Sequence, residues 1–305
     1  MNKNEEKYLG LLKEVLEKGT PHGDRTGTGT IRLFSGKTTY DLADGFPLFT
    51  TRKNSLRLVV EELIWMLSGS TDNQQLIDKK VGIWTANASA SEMAKFNRKE
   101  NDLGPIYGHQ FRNYGATTLD QPLEADYWSE PNRRWVNRGY KDDGFDQIKD
   151  LVESIQKTPN SRRIIVSTWN PKEAKLVNPP FCHTMVHVRI ENGAIDLILY
   201  SRSSDLFLGT NFNVPFYALL MELLAIVTNL KCGSFSHHMG DYHIYNDHLD
   251  QVKEQLSRTP FPAPTIKIND RLRGKGFEGL LDFKWEDIEV IGYQSHPPIK
   301  AKMSV

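Results

Sequence analysis

Hydrophobic positions recur along the chain with two periods. Leu56, Val59, Val60, Leu63, Ile64 and Leu67 share one face at about 100° per residue, and Ser68-Gly69 follows, so the pattern predicts a helix over 56–67. Residues 4–18 carry Leu9, Leu11, Leu12, Val15 and Leu16 at helical spacing, with Gly19 as the stop. Residues 145–157 repeat the pattern through Ile148, Leu151, Val152 and Ile155, closed by Pro159, and 247–257 are amphipathic. Residues 214–230 are apolar on most sides, which predicts a central buried helix. Extended patterns fall at 31–34, at 163–169 (a buried strand around Ile164-Ile165-Val166) and at 265–268. Residues 184–191 and 194–201 meet at Asn192-Gly193, a hairpin signal. Residues 96–144 are polar and irregular, and 117–143 read as an elaborated surface loop. No repeat or linker divides the chain, so one α+β domain over 1–305 is expected. Glu61 and Glu62 both lie outside the apolar arc of their helix. Periodicity does not say which of them faces a site, and a solvated carboxylate is the default for each.

Charge narrows the function classes. Thirty-eight basic and thirty-eight acidic side chains cancel, so no global field draws the chain to nucleic acid or a membrane, and an anionic ligand needs a local arginine cluster. The first residues are charged and carry no apolar h-region, and no run approaches eighteen apolar residues, so a cytoplasmic protein is expected. Cys182 and Cys232 are expected to stay reduced. No Cys-x-x-Cys or His-x-x-x-His spacing supports a structural zinc site, and a metal at His237-His238 and His243 would want an acidic or thiol partner at ligand spacing, so no metal is expected.

Chemistry concentrates at Asn178-Pro179-Pro180-Phe181-Cys182-His183. A thiol beside an imidazole, mounted after two prolines, suits a covalent nucleophile, although a lone cysteine is more often core. Arg25, Arg162, Arg163 and Arg202 (with Ser203) recur at turns beside strand ends. Each alone reads as a solvated arginine; together they suit a phosphate dianion. The 24–30 stretch has two glycines among threonines but is neither a Walker loop nor a complete Gly-x-Gly-x-x-Gly.

Longer motifs carry a resemblance. Asp24-Arg25-Thr26-Gly27-Thr28-Gly29-Thr30, Asp102-Leu103-Gly104-Pro105-Ile106-Tyr107-Gly108, Arg162-Arg163-Ile164-Ile165 with Trp169-Asn170-Pro171, Pro180-Phe181-Cys182-His183, Arg202-Ser203-Ser204-Asp205-Leu206-Phe207-Leu208-Gly209 with Phe212-Asn213, and Gly240-Asp241-Tyr242-His243-Ile244-Tyr245 occur in the order found in thymidylate synthases. Gly292-Tyr293, His296-Pro297-Pro298-Ile299-Lys300 and Val305 match as well. The chain resembles that family from about residue 8 to its last residue, interrupted mainly over 117–143. The resemblance implies a large mixed β-sheet packed with helices, the sheet faces of two copies forming a homodimer.

It also implies reductive methylation of dUMP to dTMP with 5,10-methylenetetrahydrofolate. Cys182 would add to uracil C6 and make C5 nucleophilic, with Arg202 favouring the thiolate. Glu62 matches the family's glutamate, relaying protons to O4. Tyr107 and Asp205 match positions linked to proton removal from C5 and to the pterin ring. Asn213 would read the base: its amide offers one donor and one acceptor, as uracil requires, whereas a carboxyl would suit cytosine and dCMP. His183 joins the substrate-binding set, and His243 and Tyr245 would bond the 3′-hydroxyl. Arg25, Arg202 and Ser203 would hold the phosphate, with Arg162 and Arg163 reaching in from the second copy. Trp84, Asn87, Gly209, Phe212 and Val305 match the folate-contacting wall. Departures from the family pattern fall at Pro179, Phe181, His187, Ser201 and Asn211. Phe181 abuts the nucleophile and is expected to reshape the pocket. Two other outcomes stay open here: a dUMP hydroxymethylase, in which water replaces hydride, and a non-catalytic nucleotide-binding homologue.

Overall fold

The computed structural model describes residues 2–23 and 27–302. Helix α1 (Lys3–Lys18) opens with the Asn2 side chain accepting from the Glu5 N–H. It stops at Gly19, where a Cβ would sit 2.4 Å from Ile31 Cγ2. Strands β1 (Thr20–His22) and β2 (Thr30–Asp41) follow, then α2 (Leu56–Leu67), α3 (Gln74–Asp78), α4 (Ala90–Ala94) and α5 (Tyr107–Arg112). A small hairpin, β3 (Tyr127–Ser129) with β4 (Arg134–Val136), precedes α6 (Gln147–Lys157) and β5 (Ile165–Ser167). Next come β6 (His183–Glu191), β7 (Ala194–Asp205), α7 (Gly209–Val227), β8 (Lys231–Tyr245) and α8 (Leu249–Leu256). The chain closes with β9 (Thr265–Ile268), α9 (Gly276–Leu281) and β10 (Ile288–Ile291).

Six strands form one sheet in the order β1-β2-β8-β7-β6-β5, alongside two separate two-stranded sheets, β3-β4 and β9-β10. Asn192 (φ 51) and Gly193 (φ 73) turn β6 into β7, the left-handed pair that a two-residue hairpin needs. Only β7 and β8 run parallel within this sheet, because α7 crosses between them. That crossover brings the ends of β7 and β8 and the start of α7 to one end of the sheet, with Asp205 opposite His243 in register. Helix α7 is long and apolar enough to cross a membrane by length and composition, but it is buried on nearly every side as the core helix. Pro215 lies inside it. The missing N–H leaves the Asn211 carbonyl without its intrahelical donor, and Asn54 Nδ2 supplies one at 2.6 Å.

The inner sheet face, with Val186, Val188, Leu197, Leu199 and Phe235, packs into the core. The other face runs through Met185, His187, Ile198, Tyr200, Ser236 and His238, which lie in register and are half-buried or exposed.

Three expectations change. Ile165, placed at the centre of a buried strand, is 39% exposed on a three-residue edge strand. The strand expected at 31–34 runs from Thr30 to Asp41. Segment 117–143 is more than a surface loop, because polar side chains from it reach the interior. Arg134 is buried with its Nε donating to Asp142 Oδ1 (2.6 Å), and Asn137 Nδ2 donates to Thr71 Oγ1 (2.9 Å).

Candidate active site

Cys182 stands at the entry to β6, where two neighbours fix it. Its own N–H donates to Tyr107 Oη at 2.8 Å, and the His183 N–H reaches the same oxygen at 3.3 Å. Across the sheet the Arg202 N–H donates to the Cys182 carbonyl at 2.9 Å. The Arg202 guanidinium is locked by two carbonyls, with Nε donating to Phe181 O (2.7 Å) and Nη2 to Pro180 O (2.6 Å). This places Nη2 3.7 Å from the Cys182 sulfur. Burial pushes the Cys182 thiol up, and Arg202 opposes that shift without overcoming it, while Asp205 adds to it. Arg202 thus pulls toward the thiolate, but the net shift is upward.

The departure at Phe181 does not reach a pocket wall. Its ring is 0% exposed and meets Tyr107 edge-on, with centroids 5.6 Å apart. It acts from beneath, as a support for Tyr107.

On α2 the structure separates the two glutamates. Glu61 turns outward to Lys79 Nζ (2.6 Å), whereas Glu62 is 8% exposed and accepts from Trp84 Nε1 at 2.8 Å. Burial pushes the Glu62 carboxyl up to about 7, with the indole bond pulling the other way. Trp84 packs against Trp65 and Tyr107 at 6.2 and 6.1 Å, so one aromatic wall joins Glu62 to the hydroxyl that holds Cys182. Asn87 is buried one turn beyond Trp84.

His183 Nδ1 lies 3.1 Å from Tyr217 Oη, and its ring meets Tyr107 and Tyr217. Burial lowers its pKa to about 4 against a hydrogen bond with Asn213, which raises it, so the imidazole is neutral at pH 7. Asn213 and Tyr217 sit four apart on α7 and share a face.

Asp205 ends β7, and its carboxylate accepts from the N–H groups of Phe207 (2.9 Å), Leu208 (3.2 Å) and Gly209 (3.4 Å). It thereby caps the turn into α7 and places a negative charge at the positive end of a 19-residue helix. Gly209 and Phe212 lie on the first turn of α7. Sequence reasoning missed Arg52, which is buried, donates to the Phe207 carbonyl and stacks over the Phe207 ring at 4.2 Å. An arginine in a polar stretch carries no sequence signal of burial. It also missed His248, which lies 5.4 Å from the Phe207 ring and bonds the Lys302 carbonyl at 2.7 Å, tying the end of the chain to this corner.

The remaining expected residues divide. His243 lies opposite Asp205 on β8, and its ring meets Tyr245 at 5.2 Å. Ser203 is two residues before Asp205 and opposite Asp241. Ser201, another departure, bonds His237 Nε2 at 2.9 Å in the buried interior. Arg162 and Arg163 are exposed on the loop entering β5. Arg25 and Val305 lie outside the described residues.

One corner of the fold thus holds a thiol beside a fixed guanidinium, a carboxyl poised near neutrality, a neutral imidazole, a helix-capping carboxylate and an amide on the same helix. The thymidylate synthase family model matches residues 6–305. The chain is 39% identical over 304 residues to a bifunctional dihydrofolate reductase-thymidylate synthase of Paramecium tetraurelia, an alignment spanning 99% of this chain and 61% of that protein. It is 39% identical over 320 residues to the thymidylate synthase of Mycoplasma mobile, spanning 98% of this chain and 100% of that one. The thymidylate synthase of varicella-zoster virus is 39% identical over 301 residues, spanning 98% of this chain and 93% of the relative. On the family match and these relatives, the chain belongs to the thymidylate synthase family.

Proposed function

We propose that this chain is a one-carbon transferase, a thymidylate synthase that converts dUMP to dTMP with 5,10-methylenetetrahydrofolate as co-substrate. Cys182 adds its sulfur to uracil C6, which turns C5 into an enolate-like nucleophile for the one-carbon unit, and the sulfur leaves when product forms. Glu62, with a carboxyl near 7, is suited to pass protons toward the base O4 at neutral pH. The observation that carries this reading is the Tyr107 hydroxyl. It accepts from the Cys182 and His183 amides while its ring packs on Trp84, which holds Glu62, so nucleophile and proton carrier are set on one rigid wall.

The roles of individual residues follow the same reading. Asn213, bonded to the neutral His183, presents an amide to uracil in preference to cytosine. Ser203 and Arg202, with Arg25, hold the phosphate, and His243 with Tyr245 holds the sugar. Trp84, Asn87, Gly209, Phe212 and Val305 form the folate side, and Asp205 faces the pterin.

A second copy completes the site. Among the described residues the sheet face through Met185, Ile198 and Tyr200 is half-buried to exposed, with Tyr200 39% exposed, and Arg162 and Arg163 stand beside its edge strand. Pairing of two such faces would carry these arginines toward the partner's phosphate. No metal has a role in this scheme, and a cytoplasmic site of action fits a folate-dependent synthesis.

The test is incubation of the protein with dUMP and methylenetetrahydrofolate, reading dihydrofolate absorbance and nucleotide mass together. Dihydrofolate with a methylated nucleotide is expected; a hydroxymethyl product without dihydrofolate would make water the terminal reactant and overturn the synthase reading. Cys182→Ala is expected to abolish turnover and retain dUMP binding.

A further inference from the structure

Strands β8 and β2 together carry a chain of three charged or polar groups beside the proposed sugar site. His243 Nδ1 lies 2.8 Å from Asp241 Oδ1, and the other oxygen of that carboxylate, Oδ2, accepts from Arg32 Nη1 at 3.0 Å. The strands build this arrangement. Arg32 on β2 lies directly opposite His243, Asp205 on β7 lies opposite it on the other side, and Asp241 shares the His243 face two residues earlier. The His243 side chain is 9% exposed, against 26% for Asp241 and 40% for Arg32, so the bonds run from the interior toward the rim.

The donor and acceptor inventory decides what this chain of bonds does. Burial by itself would raise the Asp241 carboxyl, but the bonds from His243 and Arg32 outweigh it and hold the group below its ordinary value, so it is ionised at neutral pH. An ionised carboxylate only accepts. The imidazole nitrogen facing it, Nδ1, therefore carries the proton, and in a neutral ring Nε2 is left with a lone pair. An Nε2 lone pair accepts a hydrogen bond and does not donate one.

We infer that Asp241 and Arg32 are positioning residues that hold His243 with Nε2 as an acceptor, so that the site reads the sugar 3′-hydroxyl as a donor. This rests on the proposed dUMP site, and it adds a selection at C3′. A nucleotide whose 3′ group cannot donate, such as a 3′-fluoro or a 3′-deoxy sugar, leaves the Nε2 lone pair without its hydroxyl donor and is discriminated against. Arg32 acts one step further out, keeping Asp241 ionised and in its rotamer.

The experiment compares Asp241→Asn and Arg32→Ala with the wild-type protein, measuring calorimetric binding of dUMP and of 3′-fluoro-2′,3′-dideoxyuridine monophosphate, and kcat on dUMP. An amide no longer dictates which imidazole nitrogen is protonated. Asp241→Asn is expected to weaken dUMP about tenfold or more. The fluoro analogue should change by less than about twofold, and the loss should show in KM more than in kcat. Arg32→Ala is expected to give the same pattern at smaller size, and because Arg32 is at the rim this variant tests the idea even where Asp241→Asn fails to fold. Equal weakening of both nucleotides, or wild-type discrimination retained in both variants, would overturn the inference while leaving the synthase reading intact. A wild-type protein that neither binds nor turns over dUMP would overturn the synthase reading and this one with it.

Discussion

Trp84 Nε1 donates to Glu62 Oε1 across 2.8 Å, and among the described residues this is the side-chain bond that holds the buried carboxyl toward its ionised form. One neutral donor does not replace the water that burial removes, which is why the group titrates near 7 in place of its ordinary 4.5.

The sign of the stability effect follows. Below pH 4.5 both folded and unfolded chains keep Glu62 protonated, so the group contributes no pH dependence. Between 4.5 and 7 the unfolded chain ionises while the folded one resists, so this residue lowers stability as pH rises, and the deficit levels off above 7. Glu62→Gln removes the titration and keeps an acceptor for the indole. The variant is expected to match wild type in thermal melts near pH 4.5 and to exceed it by on the order of 3 kcal/mol above pH 8, while losing most of its turnover. A stability difference that stays constant across that pH range would show that Glu62 is ionised in the fold.

Phe181 supplies a second expectation, against the first reading of its position. A side chain that is fully buried against Tyr107 sets packing and does not line the space where water or hydride would act. Phe181→Leu is expected to cost about 1–2 kcal/mol by leaving a gap beneath Tyr107. The product should stay methylated, with turnover reduced through a looser Tyr107. Melting curves and product mass check both points, and a rise in hydroxymethyl product would return Phe181 to the control of water access.

What the sequence disclosed depends on how much of each element is written in periodicity. Helix α2 shows one apolar stripe and its limits, 56–67, match the pattern; the β6–β7 hairpin is announced by Asn192-Gly193. Strand β8 was invisible although it is the longest in the sheet. Its inward positions include His237 beside Phe235 and Met239, and glycine and serine interrupt the rest, so no alternation of two survives. Its place comes from the ladders that β2 and β7 offer on either side. The site followed the same rule. Cys182 and the arginines were legible as motifs. The choice of Glu62 over Glu61 came from the resemblance, because it depends on Trp84, 22 residues away, folding back onto α2. Arg52 gave no signal, and Asp241 stood in the 240–245 motif with no role attached, since their partners, Phe207 and Arg32, are joined to them only by the tertiary fold.

Asp205 offers the sharpest separation of stability from chemistry. Its carboxylate accepts from three successive amides at the start of α7, so part of its role is that of a helix cap. An asparagine keeps one carbonyl oxygen for the Phe207 and Leu208 amides and loses only the longest contact, to Gly209. Asp205→Asn is therefore expected to stay within about 1 kcal/mol of wild type, whereas Asp205→Ala loses the cap and about 1–2 kcal/mol. If the negative charge serves the folate, both variants should lose at least about a hundredfold in turnover, in line with removal of a charged group from the reacting centre. Because the asparagine variant remains folded, its loss reports on charge alone. Denaturant melts alongside steady-state rates decide the matter: near-wild-type turnover in Asp205→Asn would reduce Asp205 to the cap of α7 and move the folate-facing charge elsewhere.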